Sequence, residues 1–547
     1  MQNDWDSNVL TCVLAIDIGT TWTKLITYQI PDLHVLKCTK IRTPLLCSTI
    51  MENDQIHLDV REIDLNTLWV NVAQCITEHL NFANISNAAM HAIGICAARN
   101  CVALIDKDTC EPLSKLIAWN DTRCKHQVNK VESSFIWNVM HWGASLLSWA
   151  SRQFQSFAKL RSKTEHVGPK LRWLLNGMHK SDKMMFVGLD SWIRLKLLDA
   201  RSESDERFLI DETVASTTGL YNVFRSQWSN ILCWQFGIPM HILPKVHKIG
   251  AFGNKDSGRT QSKRYPPVEV CIGDSQAALI SQQCTKEGDM LLILGTAAIS
   301  NFVLSKQCSI GTERLPQIGR RLKPTNEKKL KADRCDKIYF AQKLYPYCSC
   351  IIELAIKLKF IKSYHEIDHM LLEQQDIDAR NKQEIIFTHG ANGFKFECIR
   401  QDSTHLDNCS FLCSMIESIA FSVMRLIEND IIEQKIKRVR MTGGCSKIKF
   451  LRETLTNLIL SKRKEITIEF DDRESSALGV AALVAWNSCN LEKYRKQILN
   501  ALAIEKTEFR SLSLDNRYST VYNEVINKRY QKWKTEQVLI ENRKYKL

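Results

Sequence analysis

No apolar run in this sequence is long enough to cross a bilayer, so a transmembrane segment is not expected. The N-terminal stretch is polar, includes Asp4 and Asp6, and lacks a basic region, which argues against a secretory leader. Cys-x-x-Cys pairs at zinc spacing are missing, so the 20 cysteines do not read as a metal framework. Cys348 and Cys350 alternate in one segment, and Cys409 and Cys413 lie one helical turn apart. Nearly all are expected to be free thiols, buried or partly buried, in a reducing cytoplasm. The sequon-like Asn120-Asp121-Thr122 falls inside a segment with active-site chemistry, which also argues against secretion and glycosylation. No internal repeat or long low-complexity tract stands out.

What is present is an ordinary globular composition, 44% hydrophobic and 24% charged, over 547 residues, a length that favours more than one domain. The formal net charge of +14 raises the question of nucleic acid or membrane surfaces. Much of that charge sits in Glu313–Lys337 and in the C-terminal tail, where solvated faces and loops are the expected reading, so no nucleic-acid partner is expected. Two short strands with a tight turn are predicted from Val13–Ile18 and Leu25–Tyr28. A helix is predicted near Leu65–Leu80 from Leu65, Leu68, Trp69, Val72, Cys75, Ile76 and Leu80. Further strands are predicted at Ala92–Ile95, Val102–Ile105 and Val439–Met441. The strand, Gly-Thr, strand pattern recurs over Ile293–Val303, and an apolar helical stripe follows Asp407. The polar, Pro-containing stretch Arg264–Pro267 suggests a boundary. The expected division is therefore 10–266, 267–489, and a charged, partly helical extension over 490–547.

Four short segments carry chemistry. Asp17-Ile18-Gly19-Thr20-Thr21 is a Gly-containing turn whose backbone N–H groups can approach phosphate oxygens. Asp17 is placed to serve a Mg²⁺ ion, and Lys24 adds positive charge nearby; an ordinary hairpin would also use Gly and Thr. Gly273-Asp274 places a carboxylate at a strand end opening a small-residue helix, which suits a general base or, equally, an N-cap. Leu294-Gly295-Thr296-Ala297 repeats the phosphate turn, and Thr442-Gly443-Gly444 lets backbone approach a flat ligand such as adenine. Each alone could be a plain turn. In this order and spacing they point to phosphoryl transfer from a nucleotide, which asks for phosphate cradles, a held metal and an aligned attacking oxygen.

With these segments in place, the chain resembles the FGGY family of carbohydrate kinases, and within it the glycerol kinases, from about residue 11 to 488. Supporting stretches include Ile93-Gly94-Ile95…Arg99, Ala118-Trp119-Asn120-Asp121-Thr122-Arg123, Lys170-Leu171-Arg172-Trp173, Ser216-Thr217-Thr218-Gly219 and Ser476-Ala477-Leu478-Gly479. The resemblance implies two α/β domains of the actin-like (ribonuclease H-like) kind with a cleft between them, ATP and Mg²⁺ as cofactors, and a small polyol as substrate. It implies that Gly19, Thr20, Thr21, Lys24, Gly295 and Thr296 contact phosphate, and that Gly443 and Gly444 line the nucleotide pocket. It further implies that Asp17 serves the metal, that Arg99 and Trp119 bind the polyol, and that Asp274 is the base. The sequence departs from that pattern at Asn100, where glutamate is usual, and at Ser275, where glutamine is usual. It departs again at Tyr345–Cys350, which replaces a glycine-rich turn. Phosphorylation of glycerol to glycerol 3-phosphate is thus the leading expectation. A catalytically weak relative with a regulatory or interaction role, or a kinase for another sugar or polyol, are the alternatives. A homo-oligomer is left open.

Overall fold

The computed structural model describes residues 10–52, 56–178, 181–198, 207–247, 264–304, 316–322, 335–373, 385–390, 393–398, 407–433, 436–488, 492–503 and 516–543. They group into two compact units. The first comprises residues up to Thr285, Leu304–Ala341 and Ser475–Ala503; the second comprises Lys286–Val303, Gln342–Glu474 and Ile504–Leu547.

The first unit is built on a five-stranded sheet in the order Val268–Gly273, Ala88–Ala97, Leu10–Ile18, Trp22–Gln29, Val35–Arg42. Its first three strands are parallel and the last two antiparallel. Side chains alternate across a pleated strand, so one apolar run feeds two cores. Leu14, Ile16 and Ile18 pack on one face with the helices Leu65–Ile85 and Leu189–Leu197. Val13 and Ala15 pack on the other with Asp274–Ser281 and Ser475–Ser488. The Leu65–Ile85 helix begins where Asp64 accepts the Thr67 N–H at 2.7 Å, a bond that holds the Asp64 carboxyl below the usual range. A third core, around Leu104, Trp137, Leu171, Phe186 and Phe236, fills the part of the unit between residues 102 and 243.

A single cut at 266/267 does not describe this grouping. Val268–Gly273 pairs with Ala88–Ala97, and the Asp274–Ser281 helix packs on the same sheet. The late helix Ser475–Ser488 also returns to it, because its nearly all-round apolar surface finds a core only there.

The second unit carries strands in the order Ala298–Leu304, Asp289–Leu294, Arg438–Thr442, Thr467–Phe470, the last three parallel. The stripe after Asp407 forms the helix Asn408–Glu433, which by length and composition could cross a bilayer. A buried core helix has the same length and composition, and 78% of the most apolar window of this one is buried inside the protein, so it does not overturn the expectation that no segment crosses a bilayer.

The two charged regions are only partly the solvated faces expected of them. Within Glu313–Lys337, residues 316–322 and 335–337 are strand, and the remainder lies outside the described residues. Arg320 is buried, and Lys337 Nζ reaches Glu212 Oε1 at 2.7 Å. In the C-terminal region the helix Asn516–Arg543 buries Ile526, Tyr530, Trp533 and Gln537. Its Trp533 indole N–H donates to the Phe387 carbonyl at 3.0 Å, and Arg529 pairs with buried Glu417.

Candidate active site

In the first unit the strand Leu10–Ile18 carries Asp17 next to its end, and the Gly19–Thr21 turn leads into Trp22–Gln29. Gly19 N–H closes the turn on the Trp22 carbonyl at 2.9 Å, and a Cβ at Gly19 would lie 2.8 Å from that same oxygen. Thr43 braces the turn from outside. Its hydroxyl donates to the Gly19 carbonyl at 2.7 Å and lies 2.9 Å from the Thr23 hydroxyl, and its N–H donates to the Thr21 carbonyl at 3.2 Å. Thr20 is buried, while Thr21 and Lys24 are half-buried. Lys24 stands opposite Asp17 across the hairpin, and Cys96 stands opposite it on the other side. The Cys96 thiol donates to Asp17 Oδ1 at 3.5 Å and is pushed well up by burial, then by the charges of Asp17 and Asp274.

Ala88–Ala97 delivers Arg99 just past its end, and Val268–Gly273 delivers Asp274 at the start of a helix. Both strands run parallel, so both residues emerge at the same sheet end as Asp17. Arg99 Nε donates to Asp274 Oδ1, Nη1 to Gln317 Oε1 and Nη2 to Ser275 Oγ, each at 2.8 Å. The Ser275 N–H also donates to Asp274 Oδ1, at 2.6 Å. Asp274 Oδ2 has no hydrogen-bond partner among the described residues, and the side chain keeps 31% of its surface exposed. Among the described residues, three of Arg99's five N–H donors are engaged and two remain.

Lys170, fully buried, ties the neighbourhood together. Its Nζ donates to the carbonyls of Trp119 at 2.9 Å, Asn100 at 3.0 Å and Glu165 at 3.3 Å, while burial pulls its pKa down. Trp119 is half-buried, its ring packed against the first core. Asp121 and Arg123, which follow it, are locked side chain to side chain, and Arg123 also pairs with Glu62 at 2.7 Å. Asn100 takes a φ of 61°, a left-handed conformation that Asn tolerates better than Glu. Its side-chain oxygen accepts from Thr217 at 2.9 Å. The departure at Asn100 therefore has a backbone reason.

In the second unit the Gly295–Thr296 turn and the Gly443–Gly444 pair follow two adjacent parallel strands, in which Ile293 stands opposite Thr442. Ligands of open α/β sheets gather at such strand ends. Gly443 has a φ of +101°, and a Cβ there would lie 2.6 Å from the Leu294 carbonyl oxygen. Gly444 faces open space and is exposed, as is Thr296. The helix Cys348–Lys357 starts against this turn, with Ser349 N–H donating to the Thr296 carbonyl at 3.2 Å, so a helix N-terminus adds its positive end. The Cys445 thiol donates to the Gly295 carbonyl at 3.5 Å, and contact with Cys445, together with burial, holds the Cys348 thiol well up.

The structure thus brings Asp17, Arg99 and Asp274 to one sheet end in the first unit, and Gly295, Thr296, Gly443 and Gly444 to one strand end in the second. Sequence reasoning missed Gln317 and the tie made by Lys170. Gln317 lies in a basic stretch with no local signal, and Lys170 shares its helix with Arg172, so neither is set apart by its neighbours in sequence.

Residues 12–281 match the N-terminal domain of the FGGY family of carbohydrate kinases. Glycerol kinase 5 of Danio rerio is 24% identical over 515 residues, spanning 89% of each chain. The Bos taurus protein of that name is 24% identical over 80% of this chain and 82% of its own. Among solved structures, a Plasmodium falciparum glycerol kinase with ADP superposes with a TM-score of 0.72 at 18% identity, covering 96% of this chain and 98% of that one. A xylulose kinase from Rhodospirillum rubrum gives 0.69 at 16%, covering 97% and 99%. At these identities the structures establish the fold, the two-domain actin-like fold of sugar kinases.

Proposed function

Because this chain belongs, through residues 12–281, to the FGGY family of carbohydrate kinases, we propose that it transfers the γ-phosphoryl group of ATP to a hydroxyl of a small polyol, with glycerol the first candidate and glycerol 3-phosphate the product. The observation that carries this reading is the Asp274 carboxylate. Arg99 and the Ser275 N–H hold its Oδ1, while Oδ2 is left open. A general base needs this arrangement: an oriented carboxylate with one oxygen able to take the substrate's proton. Arg99's two remaining N–H groups would hold polyol hydroxyls, and Trp119, fixed through Lys170, would wall the site.

The residues present fit a nucleotide and a hard cation. Asp17 is an oxygen donor at a strand end, and the Gly19–Thr21 and Gly295–Thr296 turns offer backbone N–H groups for phosphate oxygens. Lys24 would add charge on the phosphate side, and the open space at Gly444 suits adenine. Mg²⁺, held through Asp17, would neutralise phosphate charge when bound. In this reading the first unit carries the polyol and the second the nucleotide. The free thiols, most of them buried, fit a reducing cytoplasm.

Steady-state turnover of purified protein with glycerol and Mg-ATP tests the proposal, with Asp274→Ala as control. Equal turnover by the two proteins overturns it. One observation favours a second reading, a kinase for a different sugar or polyol. Gln317 and Ser275 occupy Arg99 from sides where a substrate could otherwise reach it. A substrate panel at fixed ATP separates the two. Absence of turnover with every acceptor, together with no nucleotide binding by calorimetry, would instead favour a regulatory or interaction role.

A further inference from the structure

The helix Phe135–Leu146 carries no acidic, lysine or arginine side chain. Its inner face is fixed: Trp137 is buried, the His141 ring nitrogens lie 2.9 Å from the Trp137 carbonyl and 2.7 Å from the Leu160 carbonyl, and Phe157 stacks on the imidazole at 5.1 Å. The outer face is apolar as well. Phe135, Val139, Trp142, Leu146 and Trp149 follow one another at helical spacing and are 80%, 48%, 68%, 55% and 85% exposed. A helix whose inner face is already satisfied gains nothing in its own fold from this second stripe. So continuous an exposed apolar strip marks an interaction surface.

Charge identifies the occupant. Between residues 133 and 164 there is no Asp or Glu, while Arg152, Lys159, Arg161 and Lys163 all occur. Arg152 follows Trp149 at the start of the next helix, and Arg161 and Lys163 follow its end; all three are exposed. Exposed tryptophans on an apolar face bordered by cations match the boundary between acyl chains and anionic headgroups, and the nearby Glu132 carboxylate is taken up by the Ser162 N–H. At 12 residues the helix is too short to span, so it would lie in the plane of the surface.

We propose that this face of the first unit rests on a bilayer containing anionic lipid. It is independent of the phosphate and polyol residues, and it does not depend on the substrate.

The test is vesicle flotation of the full chain, with phosphatidylcholine alone and with phosphatidylserine added, across a range of salt. The chain should float with the anionic vesicles, at least roughly tenfold more strongly than with the neutral ones, and binding should weaken as salt rises. Trp142→Ser with Trp149→Ser should cut binding about tenfold or more at unchanged melting temperature. Arg152→Glu, Arg161→Glu and Lys163→Glu together should abolish the preference for anionic vesicles, and this variant decides the matter if the tryptophan pair does not fold. No flotation with either vesicle overturns the proposal, as does undiminished flotation of the charge variant. It is also overturned if sedimentation shows a dimer that the tryptophan substitutions dissolve, since the face then belongs to a second copy.

Discussion

Asp274 and Lys170 concentrate the residue-scale consequences. Replacing Asp274 by Asn keeps the shape and removes the proposed base, so kcat should fall about 10²- to 10⁴-fold with nucleotide affinity retained. A drop in affinity without a drop in kcat would contradict the assigned role. Lys170→Met should leave the carbonyls of Asn100, Trp119 and Glu165 unmet, at about 1–3 kcal/mol for each buried group left without a partner. The polyol KM should then rise more than the ATP KM, because the tether holds the Arg99–Asn100 and Trp119 segments and no part of the second unit. His79 gives a pH dependence. Buried between the hydroxyls of Thr27 at 2.7 Å and Thr39 at 3.0 Å, it is pulled down from 6.5 to about 4 by burial. The unfolded chain takes up this proton as pH falls through 6.5, and the folded chain resists until about 4. Stability should therefore decline across that window and level off below it, by on the order of 3 kcal/mol from this group. Denaturant melts of His79→Gln should show a shallower decline; an unchanged slope would remove His79 as the source. None of these three residues announced its role locally. Asp274 read equally well as a helix cap, and Lys170 and His79 act on partners far away in the chain.

Between elements, the closest approach is that of the Ser475–Ser488 helix to the Asp274–Ser281 helix. A Cβ on Gly479 would lie 1.9 Å from the Ala277 carbonyl oxygen, which is backbone and cannot swing aside. Gly479→Ala should force the helices apart at about 1–3 kcal/mol, lowering the melting temperature. It should also lower kcat, because the displaced helix carries Asp274 at its first residue. A variant with wild-type melting and wild-type kcat would show that the contact relaxes freely. The strands and the hairpin were legible at this scale, because alternation and turn residues are properties of neighbours in sequence. The Leu65–Ile85 helix was legible for the same reason, though it runs one turn beyond its predicted end. The partners of Ser475–Ser488 were not legible. A helix apolar all round says that it is buried without saying against what.

For the whole molecule, the C-terminal helix Asn516–Arg543 departs most from its composition. Charge led to a solvated extension, yet Ile526, Tyr530 and Trp533 are buried and Lys534 pairs with Glu428 at 2.7 Å. Trp533→Ala should cost about 3–5 kcal/mol, and unfolding followed by heat or denaturant should register it as loss from the second unit. Unchanged stability would return the helix to the role of a tail. Its apolar positions do repeat at helical spacing, but they are diluted among lysines and arginines, so the charge of the segment outweighs its pattern when read alone. What the sequence by itself determined was local: the Gly-Thr turns at Gly19–Thr21 and Gly295–Thr296, the carboxylate at the strand end, the arginine after its strand, and with them the likeness to the family. Tertiary structure alone decided that Arg99 takes Oδ1 of Asp274 and, among the described residues, leaves Oδ2 open, that Gln317 reaches the same arginine, and that a buried lysine holds the Trp119 carbonyl. The reason is range. Turns and periodicity follow from adjacent residues, whereas these contacts join residues roughly 50 to 220 positions apart and exist only once the chain has folded.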